Sequence, residues 1–187
     1  MVAAGAAAIL ALLIGAAVGR SIIPSASPQR TPPPPPPVQF LDAETGIGLT
    51  YPGTWRRLPS SDPQVRLLAA AGPSRSVLIR VTPSGIADVK RETLPVVRQF
   101  TDPLLATDAR TKQVSAPEAI SLGGLLGYRY RYTYTAKDGS TGAHVHYFLF
   151  KHRQMIQLVF QALPGTSLAA AEPGFERIAA TFRSTGG

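Results

Sequence analysis

The sequence of 187 residues contains no cysteine and no asparagine. Without cysteine the chain has no disulfide framework, no Cys-ligated zinc or iron–sulfur site, no thiol nucleophile and no lipid-modified N-terminal cysteine. The signatures GxSxG, HExxH, GxxxxGK[ST], GxGxxG and the EF-hand loop are also absent. The usual enzyme signatures are therefore absent, and no cofactor is expected.

Acidic residues are few, with 11 Asp and Glu against 19 Lys and Arg and a net charge of +8. The basic residues are scattered, and the densest clusters are only Arg56-Arg57 and Lys151-His152-Arg153. Such a distribution is not typical of nucleic-acid binding, which needs a concentrated basic patch. We interpret the charge as the result of compositional bias and solubility. The alternative is that the protein binds an anionic surface, such as lipid headgroups or cell-wall polymer.

Residues 2–19 contain no charged side chain and read VAAGAAAILALLIGAAVG. As a helix this run would span about 27 Å, so residues 1–23 are long enough to cross a bilayer. We predict an uncleaved membrane anchor. A cleaved signal peptide is the alternative, because Ser25-Ala26-Ser27 resembles a cleavage site, although no basic segment precedes the apolar run.

Residues 24–37 contain eight prolines, six of them consecutive from Pro32 to Pro37. Each proline ring restricts φ and removes a hydrogen-bond donor, so this segment is predicted to form a stiff polyproline spacer. A ligand for an SH3-like or WW-like domain is the alternative. The position between anchor and folded domain favours the spacer.

The predicted location of the domain is outside the cytoplasmic membrane, in a single-pass protein. The positive-inside rule opposes this orientation, because Arg20 and Arg30 follow the apolar run and nothing basic precedes it. If Met1 is not the natural start, a basic segment upstream of it would remove the conflict.

Residues 38–187 are predicted to form one globular domain. Phe175, Ile178, Ala179 and Phe182 have helical spacing, with Pro173 suited to the first turn. Helical content is also expected in residues 86–100. Strands are predicted at residues 38–41, 47–51, 65–70, 76–82, 112–115 and 119–122, and the single tryptophan, Trp55, is expected to pack in the core.

Residues 127–134, GYRYRYTY, alternate aromatic and polar side chains with the period of a strand. A two-residue turn at Asp138-Gly139 would place Arg131 opposite His146, and Tyr132 opposite Val145. A second tight turn at His152-Arg153 would place Tyr147 opposite Leu158. These registers bury the tyrosines and put Arg131 and His146 on one polar face.

This polar face is the candidate binding site. His144 and His146 point the same way on a strand and could present two imidazoles to one metal ion, but the predicted neighbours supply no third ligand, so no metal site is expected. The histidines are interpreted first as ordinary polar residues of a sheet face. A further possibility is a cationic surface that recognises an acidic group or a partner. The close carboxylate pairs Asp42/Glu44 and Glu172/Glu176 are interpreted as structural. The candidate ligand- or partner-binding residues are Arg129, Arg131, His144, His146, Gln157 and Phe148.

Three segments together resemble the PsbP/Mog1-like superfamily. They are residues 48–55 (GLTYPGTW), residues 122–129 (LGGLLGYR) and residues 175–183 (FERIAATFR), and the resemblance covers roughly residues 38 to 184. It implies an α/β (α+β) fold, an α/β/α sandwich around an antiparallel sheet. The Ala-, Arg- and Pro-rich composition is typical of actinobacteria.

The resemblance also implies a non-catalytic accessory or adaptor role, here in a membrane-anchored protein that binds a protein partner in the cell envelope. Lipoprotein members of the superfamily carry a lipid-modified cysteine, which this chain lacks. A carrier or sensor of a small lipophilic or anionic ligand is the alternative, and an enzyme or a metal-binding protein ranks below both.

Overall fold

A computed structural model describes residues 33–87, 89–106, 110–136 and 138–185. Alternating apolar residues form the long strands, and two amphipathic segments form the helices within these ranges. The elements are β1 Val38–Asp42, β2 Ile47–Tyr51, β3 Arg56–Arg57, β4 Val65–Ala71, β5 Arg75–Pro83, α1 Leu94–Ala106, β6 Thr111–Gln113, β7 Glu118–Leu122, β8 Leu125–Thr135, β9 Thr141–Lys151, β10 Gln154–Ala162, α2 Leu168–Ala179 and β11 Arg183–Ser184.

The strands form two antiparallel sheets. The larger has eight strands in the order β3-β4-β5-β10-β9-β8-β6, with β7 also pairing with β8. The smaller has three strands in the order β1-β2-β11. Consecutive strands pair through short turns in most of the large sheet, while α1 connects β5 to β6 over one of its faces.

Helix α2 and the small sheet cover one face of the large sheet. Phe175 of α2 stacks on Phe160 of β10, with ring centroids 5.1 Å apart. Ile47 and Leu49 of β2 are fully buried in the same cluster, and the predicted core residue Trp55 joins it with 8% of its surface exposed. This is the main hydrophobic core.

Helix α1 lies on the opposite face, where it buries a second cluster. Val97 of α1 packs there with Tyr130 and Phe148, and Tyr130 meets Phe148 edge to face at 5.4 Å. The large sheet therefore lies between two helical layers, which agrees with the predicted α/β class.

The register between β9 and β10 is confirmed. Tyr147 lies opposite Leu158, as predicted from a tight turn at His152-Arg153. Both turn residues have positive φ, 46° and 62°, which a two-residue type I′ turn requires.

The predicted register between β8 and β9 is wrong by one residue. Tyr132 lies opposite His144, and Arg131 lies opposite Val145. The loop between these strands has three residues instead of two: Ala136 N–H donates to the Ser140 carbonyl at 2.8 Å, and Gly139 has φ +82°. One extra loop residue moves every side chain of the following strand to the other face relative to the prediction.

The helix boundaries also differ from the prediction. Helix α1 begins at Leu94 rather than near residue 86, so Pro95 lies in its first turn, where the missing N–H costs nothing. Helix α2 begins at Leu168 and contains Pro173, while Phe182 lies beyond its end.

The predicted anchor, residues 1–23, lies outside the described residues, as does most of the predicted linker. In the part of the chain that the structure describes, no helix is long and apolar enough to span a membrane. Residues 33–37 precede β1 without regular secondary structure and contact the domain at Gly53. A β-carbon at Gly53 would lie 2.1 Å from the Pro36 carbonyl oxygen and 3.0 Å from that of Pro35.

We expect Gly53→Ala to detach the proline segment from the domain, because the added methyl group overlaps the Pro36 carbonyl oxygen. Spin labels on cysteines introduced at Pro33 and Leu58 would report this as a broadened distance distribution. Gly85→Ala is the control, since a β-carbon there meets no atom within 4 Å. An unchanged distribution in Gly53→Ala would show that the contact does not hold the segment.

Candidate functional site

The six predicted site residues do not form one surface, because the shifted register separates them. Arg129 and Arg131 point to the α2 side of the large sheet. His144, His146 and Phe148 point to the α1 side, where Phe148 is 1% exposed. Gln157 lies opposite Phe148 on the same side. The prediction of a single cationic surface is therefore wrong.

The two arginines are held by carboxylates. Glu118 of β7 accepts hydrogen bonds from both Arg129 and Arg131. Glu176 of α2 accepts from Arg129 at 3.0 Å, and Glu172 accepts from Arg131 at 2.5 Å. The hydrogen bonds from Arg129 and Arg131 lower the pKa of Glu118. These ion pairs join α2 to the sheet and leave no excess positive charge for an anionic ligand.

A cleft of about 250 Å³ adjoins this network, between β7 and the end of α2. It is smaller than the roughly 300–1,000 Å³ of small-molecule pockets. It therefore gives little support to a carrier of small ligands. Its lining residues are Ile120, Ser121, Leu122, Arg129, Tyr147, Glu176, Ala179 and Ala180.

Lys151 is a buried cation that sequence reasoning missed. Its ammonium group donates to the carbonyl oxygens of Thr45, at 3.0 Å, and Thr185, at 2.7 Å. An open cavity of about 440 Å³ lies beside it, and Glu44 on the cavity wall pairs with Arg66 at 2.8 Å. Lys151 thus ties the β1–β2 turn and the last strand to the large sheet.

On the α1 side, the two histidines share one tyrosine hydroxyl. The Tyr132 oxygen lies 3.0 Å from Nδ1 of His144 and 3.1 Å from Nδ1 of His146. A hydroxyl has one proton, so it donates to one ring and accepts from the other. With Oε1 of Gln161 accepting from Nε2 of His144 at 3.2 Å, Tyr132 donates to His144 and accepts from His146. Nε2 of His146 is then an unprotonated, buried nitrogen.

Both histidines are neutral at physiological pH. Burial lowers the pKa of His144 to about 4, against the opposing hydrogen bond with Gln161. Burial, followed by repulsion from His144, lowers the pKa of His146 to about 3. Within the described ranges, no group of three or more His, Cys, Asp or Glu side chains is placed to hold a metal ion. This arrangement is a neutral polar cluster inside the domain.

Beyond the histidines, the α1 side of the sheet is only half covered. Helix α1 packs over β8 and β9, and the cluster beneath it reaches Met155 at the start of β10, while the rest of the same face of β4, β5 and β10 is half-buried. Val159, Leu78 and Leu68 lie directly opposite one another across these three strands. We call them the apolar strip. Polar residues border it, with Gln157 and Arg80 on one side and Gln161 and Ser76 on the other.

Helix α1 also carries exposed apolar residues. Val96, Phe100 and Leu104 are 63%, 39% and 44% exposed and follow one another at intervals of four residues, which places them in one row, the α1 ridge. Asp102 lies about 160° around the axis from Phe100 and accepts a hydrogen bond from Tyr130 of β8 at 2.6 Å. The α1 ridge therefore lies on the flank that faces β10, above the apolar strip.

The α1 ridge and the apolar strip together form the wall and floor of an apolar groove, the α1 groove. Sequence reasoning missed it, although the spacing of Val96, Phe100 and Leu104 was a visible signal. The sequence does not show which side of the helix is buried. In the structure Val97 and Thr101 lie on the buried side.

No protein-family model matches the chain, and no curated protein matches it. Several solved structures are similar to the chain. The cyanobacterial PsbP (CyanoP) of Synechocystis sp. PCC 6803 superposes with a TM-score of 0.59 at 13% identity, covering 79% of this chain and 92% of that one. The fold is PsbP-like.

Two further structures are similar to this PsbP-like chain. LpqN, involved in cell envelope biogenesis of Mycobacterium tuberculosis, has a TM-score of 0.57 at 18% identity, covering 81% of this chain and 91% of LpqN. The Ran-binding protein Mog1p of Saccharomyces cerevisiae superposes more loosely, with a TM-score of 0.49 at 8% identity over 80% of this chain and 95% of Mog1p. At these identities the likeness concerns the fold alone.

The buried histidines should make the PsbP-like domain acid-sensitive. As pH falls below the ordinary histidine pKa of 6.5, the unfolded chain binds protons that the folded chain does not, until about pH 4 for His144 and about pH 3 for His146. We expect the free energy of unfolding to fall by about 4 kcal/mol between pH 7 and pH 5. Urea unfolding followed by the fluorescence of Trp55 measures this.

The double variant His144→Gln, His146→Phe should lose most of that pH dependence. His152→Asn is the matched control, because His152 is exposed and asparagine tolerates its positive φ. The same pH dependence in the double variant and in the wild type would contradict the assignment.

Proposed function

We propose that the chain is a non-catalytic accessory domain of the cell envelope that binds a partner protein through the α1 groove. Residues 1–23 anchor it in the membrane, and residues 24–37 hold residues 38–187 away from the bilayer, on the extracytoplasmic side. The observation that carries the proposal is the half-covered sheet face beside the α1 ridge. Exposed apolar residues beside a partly covered sheet face, with polar residues at the border, are typical of protein interaction sites.

The chemistry of the remaining candidate sites supports a binding role over a catalytic one. The arginines are engaged by Glu118, Glu172 and Glu176, and the histidines by Tyr132. Catalytic groups need access to a substrate, and these side chains are committed to contacts within the domain. The fold that the chain shares with LpqN, a protein involved in envelope biogenesis, supports the proposed location.

The protein-binding role is tested by photo-crosslinking in membranes of cells that make the full chain. The photo-reactive residue p-benzoylphenylalanine replaces Leu78, on the floor of the α1 groove, or Leu41, an apolar residue of β1 that is 58% exposed. We expect protein adducts from position 78 and none above background from position 41. Equal yields at the two positions, or none at either, would contradict the proposal.

The orientation is tested by adding protease to intact spheroplasts. An extracytoplasmic domain should be cleaved at exposed basic sites, for example at Arg56-Arg57 in the two-residue edge strand β3, without lysis. Detection with an antibody against the domain measures the loss. Protection that disappears only on lysis would place the domain in the cytoplasm.

A further inference from the structure

We propose that the protein docked in the α1 groove is a second copy of this chain, related to the first by a twofold axis. This inference rests on the proposed protein-binding role and names the partner. In such a pair the two large sheets face each other, and the two α1 helices lie side by side between them. Each sheet is then covered half by its own α1 and half by that of its partner.

The first argument is the absence of net charge on the outer side of α1. Pro95, Gln99 and Ala106 are exposed there, next to the α1 ridge. The charged residues of the helix are Arg98 and Asp102, which pair with each other at 3.1 Å on the flank facing β8. A helix that faces water normally carries charges on its outer side. An uncharged outer side is typical of a helix covered by another layer.

The second argument is the match in size. The apolar strip extends across β10, β5 and β4, and two inter-strand spacings make it about 10 Å wide. A helix with its side chains is also about 10 Å across. The space beside α1 therefore accommodates one further helix, and the α1 of a second copy has the required uncharged surface.

The third argument is that both halves of the contact exist on one molecule and on the same face of its sheet. A twofold axis then forms the contact twice, with each α1 lying on the apolar strip of the other copy and the two ridges meeting along the axis. A partner of another sequence would need only the apolar strip as its binding site. It would not explain why the outer side of α1 is uncharged as well.

An added β-strand fits the surface less well. Strands β5 and β10 are paired on both sides, and β3 pairs with β4 at Ala69 and Ala70, so the floor offers a peptide only the short outer edge of β4 before Leu68. A charged partner fits less well too. Arg80, at the border of the floor, is engaged by Asp62 at 3.3 Å and by Gln64 at 2.6 Å.

The absence of cysteine from the chain makes disulfide crosslinking a clean test. The full chain in its membranes carries one introduced cysteine, Phe100→Cys on the α1 ridge or Leu41→Cys as an exposed apolar control, and is then oxidised. We expect a disulfide-linked species of twice the chain mass from Phe100→Cys, at least 10-fold more abundant than from Leu41→Cys. Mixing differently tagged copies of Gln99→Cys and Leu78→Cys should give a mixed dimer.

A second variant keeps the test independent of crosslinking chemistry. Phe100→Asp places a charge on the ridge, where the free monomer exposes it to water, so the fold should persist while self-association is lost. Sedimentation of the detergent-solubilised full chain should show a dimer for the wild type and a monomer for Phe100→Asp, with unchanged Trp55 fluorescence. A wild-type monomer, or a dimer that survives Phe100→Asp, would overturn the inference.

The experiments distinguish failure of the twofold pair from failure of the protein-binding role. Adducts of another protein at position 78 without Phe100→Cys dimers would overturn the twofold pair and preserve the protein-binding role. A disulfide within one copy between Phe100→Cys and Ala8→Cys would identify residues 2–19 as the occupant and overturn the inference. No adduct of any kind in the α1 groove would overturn both proposals.

Discussion

The packing of β9 on both of its faces is the constraint on which the rest of the structure depends. From Gly142 to Lys151 every residue of this strand is buried. Val145, Tyr147 and Leu149 enter the core beneath α2, while the alternating residues enter the cluster beneath α1. Because neighbouring positions belong to different cores, the register of β9 decides the surroundings of each side chain on it.

That constraint explains how the polar residues of β8 and β9 are satisfied. On the α2 side, Arg129 and Arg131 reach carboxylates of β7 and α2, so each buried stem ends in an ion pair. On the α1 side, His144 and His146 are neutral and share Tyr132. Buried polar groups are stable when they are hydrogen-bonded. The first arrangement ties β7 and α2 to β8, and the second ties β8 to β9.

Coverage of the large sheet is unequal, and this inequality defines the surface of interest. The α2 side is closed by a helix and a second sheet, whereas the α1 side has one helix of 13 residues for the same width of sheet. The partly covered apolar strip and the exposed ridge beside it follow from that shortage. The function proposed for the domain is therefore a consequence of incomplete layering, and it needs no reactive group.

The sequence by itself determined the longer strands and the turn at His152-Arg153, because alternation and turn chemistry are local properties. It did not reveal the two-residue strands β3 and β11. It also indicated the PsbP-like fold through short segments such as Gly48 to Trp55. The loop after Thr135 could not be assigned its length, since Asp138-Gly139 suits both a two-residue and a three-residue turn, and the choice moved His146 to the opposite face from Arg131. Only the tertiary structure decided which arginines meet which glutamates and which side of α1 is left uncovered, because these depend on contacts between residues far apart in the chain.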